Sequence, residues 1–192
     1  MATLDDPWSG ALQPGPHDKL VANIIAVSAR AGLGQAHRHL IWYPADLSKA
    51  ERQWAEACVK SVHNGSAWDM EKLGIVFTQS QSDALRRMQM LAGFLIRNFV
   101  DARIMTRSDC LLARKEDGGV DAQVLFIPDF ITAEYIETIP KWERSSMTDL
   151  YSERVRATAP TCLFVGCANS TLKSKLPTIA NDMNSDYMVQ KS

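Results

Sequence analysis

From residue 46 onward, short β-branched apolar runs alternate with longer stretches in which apolar residues recur at helical spacing. Leu73, Ile75, Val76 and Phe77 make the first clear run, and residues 73–78 read as a strand. Leu85, Met88, Leu91, Ala92, Leu95, Ile96 and Phe99 follow at helical spacing, which predicts a helix over 83–99 with Asp83 as its N-cap. A second strand is expected over 102–106, then a short helix capped by Ser108 and running through Leu111, Leu112 and Ala113. Residues 115–119 read as a turn. The run 120–127 ends in Val124, Leu125, Phe126 and Ile127, the continuous apolar character of a buried parallel strand, and Pro128 with Asp129 is expected to end it. Residues 131–144 read as a loop, 146–157 as a helix and 161–165 as a further strand. Strands alternating with helices predict a three-layer α/β domain with a parallel sheet.

The first 45 residues are less regular. Pro7, Pro14, Pro16, Gly10 and Gly15 make residues 1–18 an extended arm, with Trp8 and Leu12 available to dock on a partner. A short helix is expected over 19–31, closed by Gly32 and Gly34. His37 and His39 stand at i, i+2, as metal ligands on a strand would. No Asp, Glu or Cys lies close by to complete a site, so they read as surface or partly buried side chains. Asp46 or Ser48 can cap a helix running through Val62, with Glu51 completing a capping box, and His63-Asn64-Gly65 ends it. Trp54 and Trp68 sit in apolar patterns and read as packing residues. The chain thus divides into an arm with a short helix over 1–45 and an α/β core over 46–192.

Composition narrows the setting. With 192 residues, 46% hydrophobic, the chain is long enough for one ordinary domain with extensions. A formal charge of −1 excludes holding nucleic acid by bulk charge and leaves only a local basic patch for that purpose. Cys58, Cys110, Cys162 and Cys167 are widely spaced and read as reduced thiols rather than a metal site or disulfide framework. The N-terminus is acidic where a leader would be basic, and no apolar run reaches the ~18 residues of a membrane span. A cytoplasmic protein with no membrane partner is the expectation, an organelle matrix being the other reducing setting.

A strand, a small-residue turn and an amphipathic helix open a phosphate-binding α/β unit. Where a P-loop reads Gly-x-x-x-x-Gly-Lys-Ser/Thr, this chain has Gln79, Ser80, Gln81, Ser82, Asp83, Ala84, Leu85 and Arg86. Both glycines are replaced, Leu85 stands at the lysine, and Arg86 stands at the Mg²⁺-binding hydroxyl. Leu85 cannot neutralise a phosphate. Arg86 is either a solvated residue of the helix start or a cation able to reach a phosphate or a nucleic-acid backbone. With Arg87, Arg97, Arg103, Arg107 and Arg114 it makes a candidate basic face for nucleic-acid contacts. No Gly-x-Ser-x-Gly elbow or His-Glu-x-x-His helix occurs.

From about Trp42 to the C-terminus, the order of elements resembles the AAA+ core of bacterial helicase-loader and transposon ATPases of the DnaC/IstB type. The segments that carry the resemblance are Thr106-x-Ser108-Asp109-x-Leu111-Leu112, the strand Val120-Asp121-Ala122-Gln123-Val124-Leu125-Phe126-Ile127, Asp149-Leu150-Tyr151-Ser152-Glu153-Arg154, and Ala159-Pro160-Thr161. It implies a three-layer P-loop NTPase-like fold, an AAA+ core with a parallel sheet and flanking helices and no C-terminal lid domain. It also places Pro128 at the Mg²⁺-binding aspartate of the Walker B strand, Asp129 at the catalytic acid and Asn169 at sensor 1. The family presents an arginine to a neighbouring subunit near the end of its core. No arginine follows Arg156 here, and residues 176–183 stand in that region. The expectation is a non-catalytic, cofactor-free, metal-free AAA+-like subunit. It would act as a structural or regulatory component, with protein partners, in a larger nucleic-acid-processing assembly. The alternatives are a nucleotide-binding loader or transposition ATPase using ATP and Mg²⁺ through a divergent P-loop, and a nucleic-acid-binding module using the arginines. Oligomeric state is not encoded in any of these motifs.

Overall fold

The computed structural model describes residues 12–42, 46–64, 70–78 and 80–190. Trp8, Gly65, Trp68 and Gln79, singled out in the sequence, lie outside the described residues.

Among the described residues five strands form one sheet: β1 (Gly74–Phe77), β2 (Ala102–Ile104), β3 (Val124–Ile131), β4 (Thr161–Val165) and β5 (Tyr187–Gln190). Their order is β2-β3-β4-β1-β5, and every pairing is parallel. The period-2 pattern of the strands sorts their side chains between two cores. Ile75, Phe77, Val124, Phe126, Cys162 and Phe164 join one core, with α4 (Lys49–Asn64) and α5 (Gln81–Arg97). Val76, Leu125, Ile127, Leu163 and Val165 join the other, with α6 (Arg107–Asp117), α7 (Ala133–Thr138), α8 (Lys141–Arg156), α9 (Asn169–Lys175) and α10 (Pro177–Asp186). The three-layer parallel α/β architecture expected from the sequence is the one observed. No helix among the described residues is long and apolar enough to cross a membrane.

Preceding α4 are α1 (Asp18–Ala22), α2 (Ile24–Arg30), a single 3₁₀ turn (Gln35–His37) and α3 (His39–Trp42). The single helix expected over 19–31 is broken at Asn23, whose φ of −110° and ψ of 14° leave the helical region. His37 and His39 lie on helical turns rather than on a strand, with His37 half-buried and His39 exposed. Leu20, Ala31, Leu33 and Ile41 pack into the same core as α4 and α5. At Gly93 a Cβ would stand 2.7 Å from the Leu40 carbonyl oxygen, so only glycine lets α3 cross α5 this closely.

Trp54 is a packing residue, as expected, meeting Phe126 edge-on at 6.5 Å. The capping box of α4 forms: the Ser48 amide donates to Glu51 Oε2 (2.8 Å) and the Glu51 amide to Ser48 Oγ (3.3 Å). Two other caps differ from expectation. Ser80, not Asp83, caps α5 and accepts the Asp83 amide at 3.2 Å, because Ser80 is the last extended residue. Thr106, not Ser108, caps α6 and accepts the Asp109 amide at 3.1 Å. α6 also runs through the predicted turn to Asp117 and stops where Gly118 adopts φ 77°.

β3 does not end at Pro128. It continues to Ile131 through a register shift between Ile127 and Ile131, and such an irregularity accommodates a residue with no N–H to donate. The expected loop 131–144 instead holds α7 and the start of α8, with Thr132 capping α7 and Pro140 opening α8. The polar C-terminal stretch is also structured, residues 181–186 closing α10 and 187–190 forming β5.

Candidate functional site

The chain leaves β1 through α5 on one face of the sheet and leaves β4 through α9 and α10 on the other. β1 and β4 are neighbours, so the topological switch of the sheet lies between them. In open parallel sheets, ligands bind in the crevice beyond the carboxyl ends of such strands. The crevice is bordered here by the residues after β1, the residues after β4 and the end of β3.

Along the α5 rim, Ser80 Oγ takes the Asp83 amide and lies 3.0 Å from Ser82 Oγ. Gln81, Ser82, Asp83 and Arg86 are exposed, Ala84 is buried and Leu85 is half-buried. A helix start is an anion site when its amides and dipole are free to face the anion. In this one the Ser80 side chain already takes an amide and the Asp83 carboxylate supplies the negative charge.

At the β3 rim Pro128 is buried within the strand. Asp129 Oδ1 accepts the main-chain N–H of Arg107, the first residue of α6, at 2.7 Å. The Arg107 guanidinium donates to the Asp129 carbonyl (2.8 Å), stands 3.4 Å from the Tyr135 ring centroid and lies 3.6 Å from Glu143 Oε1. Burial and then the hydrogen bond to Glu143 push the Tyr135 phenol pKa up, so it stays protonated. Asn169 begins α9 and is exposed.

A Mg²⁺-bound triphosphate needs a lysine and free amides at the helix start, and a metal-binding carboxylate at the β3 end. The residues present do not fit that group. Leu85 carries no charge, Pro128 offers no ligand, and the Asp129 carboxylate is engaged by α6. Among the described residues, no group of three His, Cys, Asp or Glu side chains could hold a metal ion.

The arginines are not brought together as one free basic face. Arg87 donates through Nε to Glu51 Oε1 (2.8 Å), through Nη2 to Glu51 Oε2 and through Nη1 to the Asp46 carbonyl (3.0 Å). Burial lowers its pKa. Arg97 is buried and bonds the Trp42 carbonyl at 3.2 Å. Arg103 pairs with Asp101 at 3.1 Å, and Arg114 with Glu153 at 2.7 Å. Of the six candidates, Arg86 alone is exposed.

Sequence reasoning gave Glu51 a capping role only. The structure buries it completely, at 0% exposure, against Arg87. The signal was present, because Glu51 shares an i, i+3, i+4, i+7 stripe with Trp54, Ala55 and Cys58. Tyr135 and Glu143 carried no such signal, since their partner Arg107 is distant in sequence.

No protein-family model and no curated protein sequence matches this chain. Solved structures do, and what they share with this chain is its fold, a P-loop NTPase-like α/β architecture. The crystal structure of the DnaC helicase loader matches with a TM-score of 0.53 at 13% identity, covering 81% of this chain and 98% of that one. The crystal structure of a putative primosome component from Streptococcus pyogenes serotype M3 matches with a TM-score of 0.55 at 14% identity, covering 87% and 94%. The fold is that of a DnaC-like AAA+ core, in agreement with the resemblance read from the sequence.

Proposed function

We propose that this chain is a non-catalytic AAA+-like subunit, a structural or regulatory component that binds protein partners in a larger nucleic-acid-processing assembly. The observation that carries the reading is Asp129, whose Oδ1 accepts the α6 amide at 2.7 Å. The neutral Leu85 and the self-capped start of α5 support the same conclusion. The replication setting is drawn from the neighbours, one a helicase loader and the other a putative primosome component. A cytoplasmic location and a helicase or similar partner follow from that setting.

Calorimetry of the purified chain with ATP and ADP, with and without Mg²⁺, tests the first half of the reading. No saturable heat is expected up to about 1 mM nucleotide, where a specific site would also stabilise the fold. Native purification tests the second half and should retain a protein partner. Micromolar, Mg²⁺-dependent ATP binding, or a chain that purifies alone, overturns the corresponding half.

One observation favours a second reading, a nucleotide-binding loader. Arg86 is exposed one position beyond the missing lysine. If ATP binds, Arg86→Ala abolishes it under this reading.

A further inference from the structure

The β3 end of the crevice carries a positive charge of its own. The Arg107 side chain is 14% exposed and meets groups from three other elements. β3 supplies the Asp129 and Phe130 carbonyl oxygens, 2.8 and 3.5 Å from Nη1. From α8 comes Glu143 Oε1, 3.6 Å from Nε, and from α7 the face of the Tyr135 ring, 3.4 Å from Cζ. Arg107 itself opens α6, and its own amide holds the Asp129 carboxylate.

The surroundings specify the shape of the cation as well as its sign. A guanidinium is flat, donates from its edge and stacks on its face, and here carbonyls meet the edge while an aromatic ring meets the face. A compact ammonium or a spherical ion cannot satisfy both at once. The Glu143 carboxylate and two β3 carbonyl oxygens meet the guanidinium here, so without it they would lose their partner where α6, α7 and α8 pack together.

We propose that Arg107 is the resident cation of the crevice. It pairs with Glu143 of α8 beside the end of β3 and orders the start of α6, α7 and the start of α8 around it, so that this rim is held in one arrangement without nucleotide or metal. The proposal rests on the reading above that no Mg²⁺-nucleotide serves this site.

Hydrogen exchange on the full chain and its Arg107→Ala and Arg107→Lys variants provides the test. In the wild-type protein without nucleotide, amides over 129–144 and 107–110 should be protected. Arg107→Ala should raise their exchange by about tenfold or more while β1 and β4 stay protected, and Arg107→Lys should fall between. Adding methylguanidinium at about 10 mM to Arg107→Ala should restore part of the protection, whereas methylurea, of the same shape without charge, should not. If Arg107→Ala fails to fold, Arg107→Met keeps the apolar stem and takes the same two additives. Exchange in the variant within about twofold of wild type, or equal rescue by methylurea, overturns the proposal. A gain in wild-type protection with Mg²⁺-ATP would instead sink the nucleotide-free reading and leave the methylguanidinium arm to judge Arg107 separately.

Discussion

Glu51 is a carboxylate on the apolar stripe of α4, with no exposed surface of its own. Its charge is sustained by the Ser48 amide at 2.8 Å and by the Arg87 guanidinium. An ion pair of this kind is weak evidence for net stability, yet removing one partner strands the other in the core. Arg87→Met should therefore destabilise the protein by about 2–3 kcal/mol, below the usual range for a buried pair because the Arg87 side chain is 26% exposed. Urea melts check this, with Glu51→Leu/Arg87→Met expected closer to wild type than the single variant. A single-variant loss under about 1 kcal/mol would mean that Glu51 is readily neutralised in place. Arg154 shows the opposite arrangement, a buried cation with no carboxylate partner among the described residues. It bonds the Ala122 and Pro160 carbonyls and Thr161 Oγ at 2.7, 2.9 and 3.1 Å, joining the starts of β3 and β4. Burial lowers its pKa to about 10, so it remains charged at neutral pH.

At the scale of elements, α6 and α8 are tied by Arg114, which bonds Glu153 at 2.7 Å and lies 3.6 Å from Asp149. The hydrogen bond to Arg114 holds the Glu153 carboxyl below its ordinary pKa. A lowered folded-state value means that stability is present above the unfolded pKa and lost as pH falls through the folded one. With the Glu153 side chain 41% exposed, the contribution is modest. Arg114→Ala is expected to lower stability slightly at about pH 7 and by less at acid pH, as the Glu153 carboxyl is protonated through its lowered folded-state pKa. An equal deficit at neutral and acid pH would mean that lost packing, not charge, links α6 to α8.

The same scale shows how much was legible. β1 and β4 were readable because each is a short apolar run bounded by polar residues or proline, and buried parallel strands need nothing else. Helix starts were off by two or three residues where several polar side chains competed for one cap, as with Ser80 against Asp83 and Thr106 against Ser108. Pro128 misled because a proline does end most strands, and only pairing with β4 reveals the irregularity that carries β3 past it. For the site, the residues after β1 and at the end of β3 were singled out from order along the chain alone. What now occupies them was not, because Arg107, Asp129, Tyr135 and Glu143 meet only after α6, β3, α7 and α8 assemble.

For the molecule as a whole, the sheet has two edges that are treated differently. The β2 edge is covered by the N-terminal segment, with the Ile104 amide donating to the Ala31 carbonyl at 2.9 Å. The other edge is β5, which protects β1 from being an edge. Tyr187 is 3% exposed, stacks on Tyr151 at 5.8 Å and packs so closely on β1 that a Cβ at Gly74 would stand 2.5 Å from its ring. Gln190 continues the link to the crevice. Its carbonyl accepts the Thr78 amide at 3.2 Å, and its side chain donates to Ser48 Oγ at 3.2 Å, so β5 ties the end of β1 to the α4 cap. A chain ending at Asp186 should lose about 3–5 kcal/mol from the missing Tyr187 ring alone, and β1 should lose its exchange protection. Tyr187→Phe, which keeps the ring and removes only one hydroxyl, should cost about 1 kcal/mol, well below the truncation. A truncated chain that melts with the full one would show that four strands suffice, and that β5 is an appendage rather than the fifth member of the sheet.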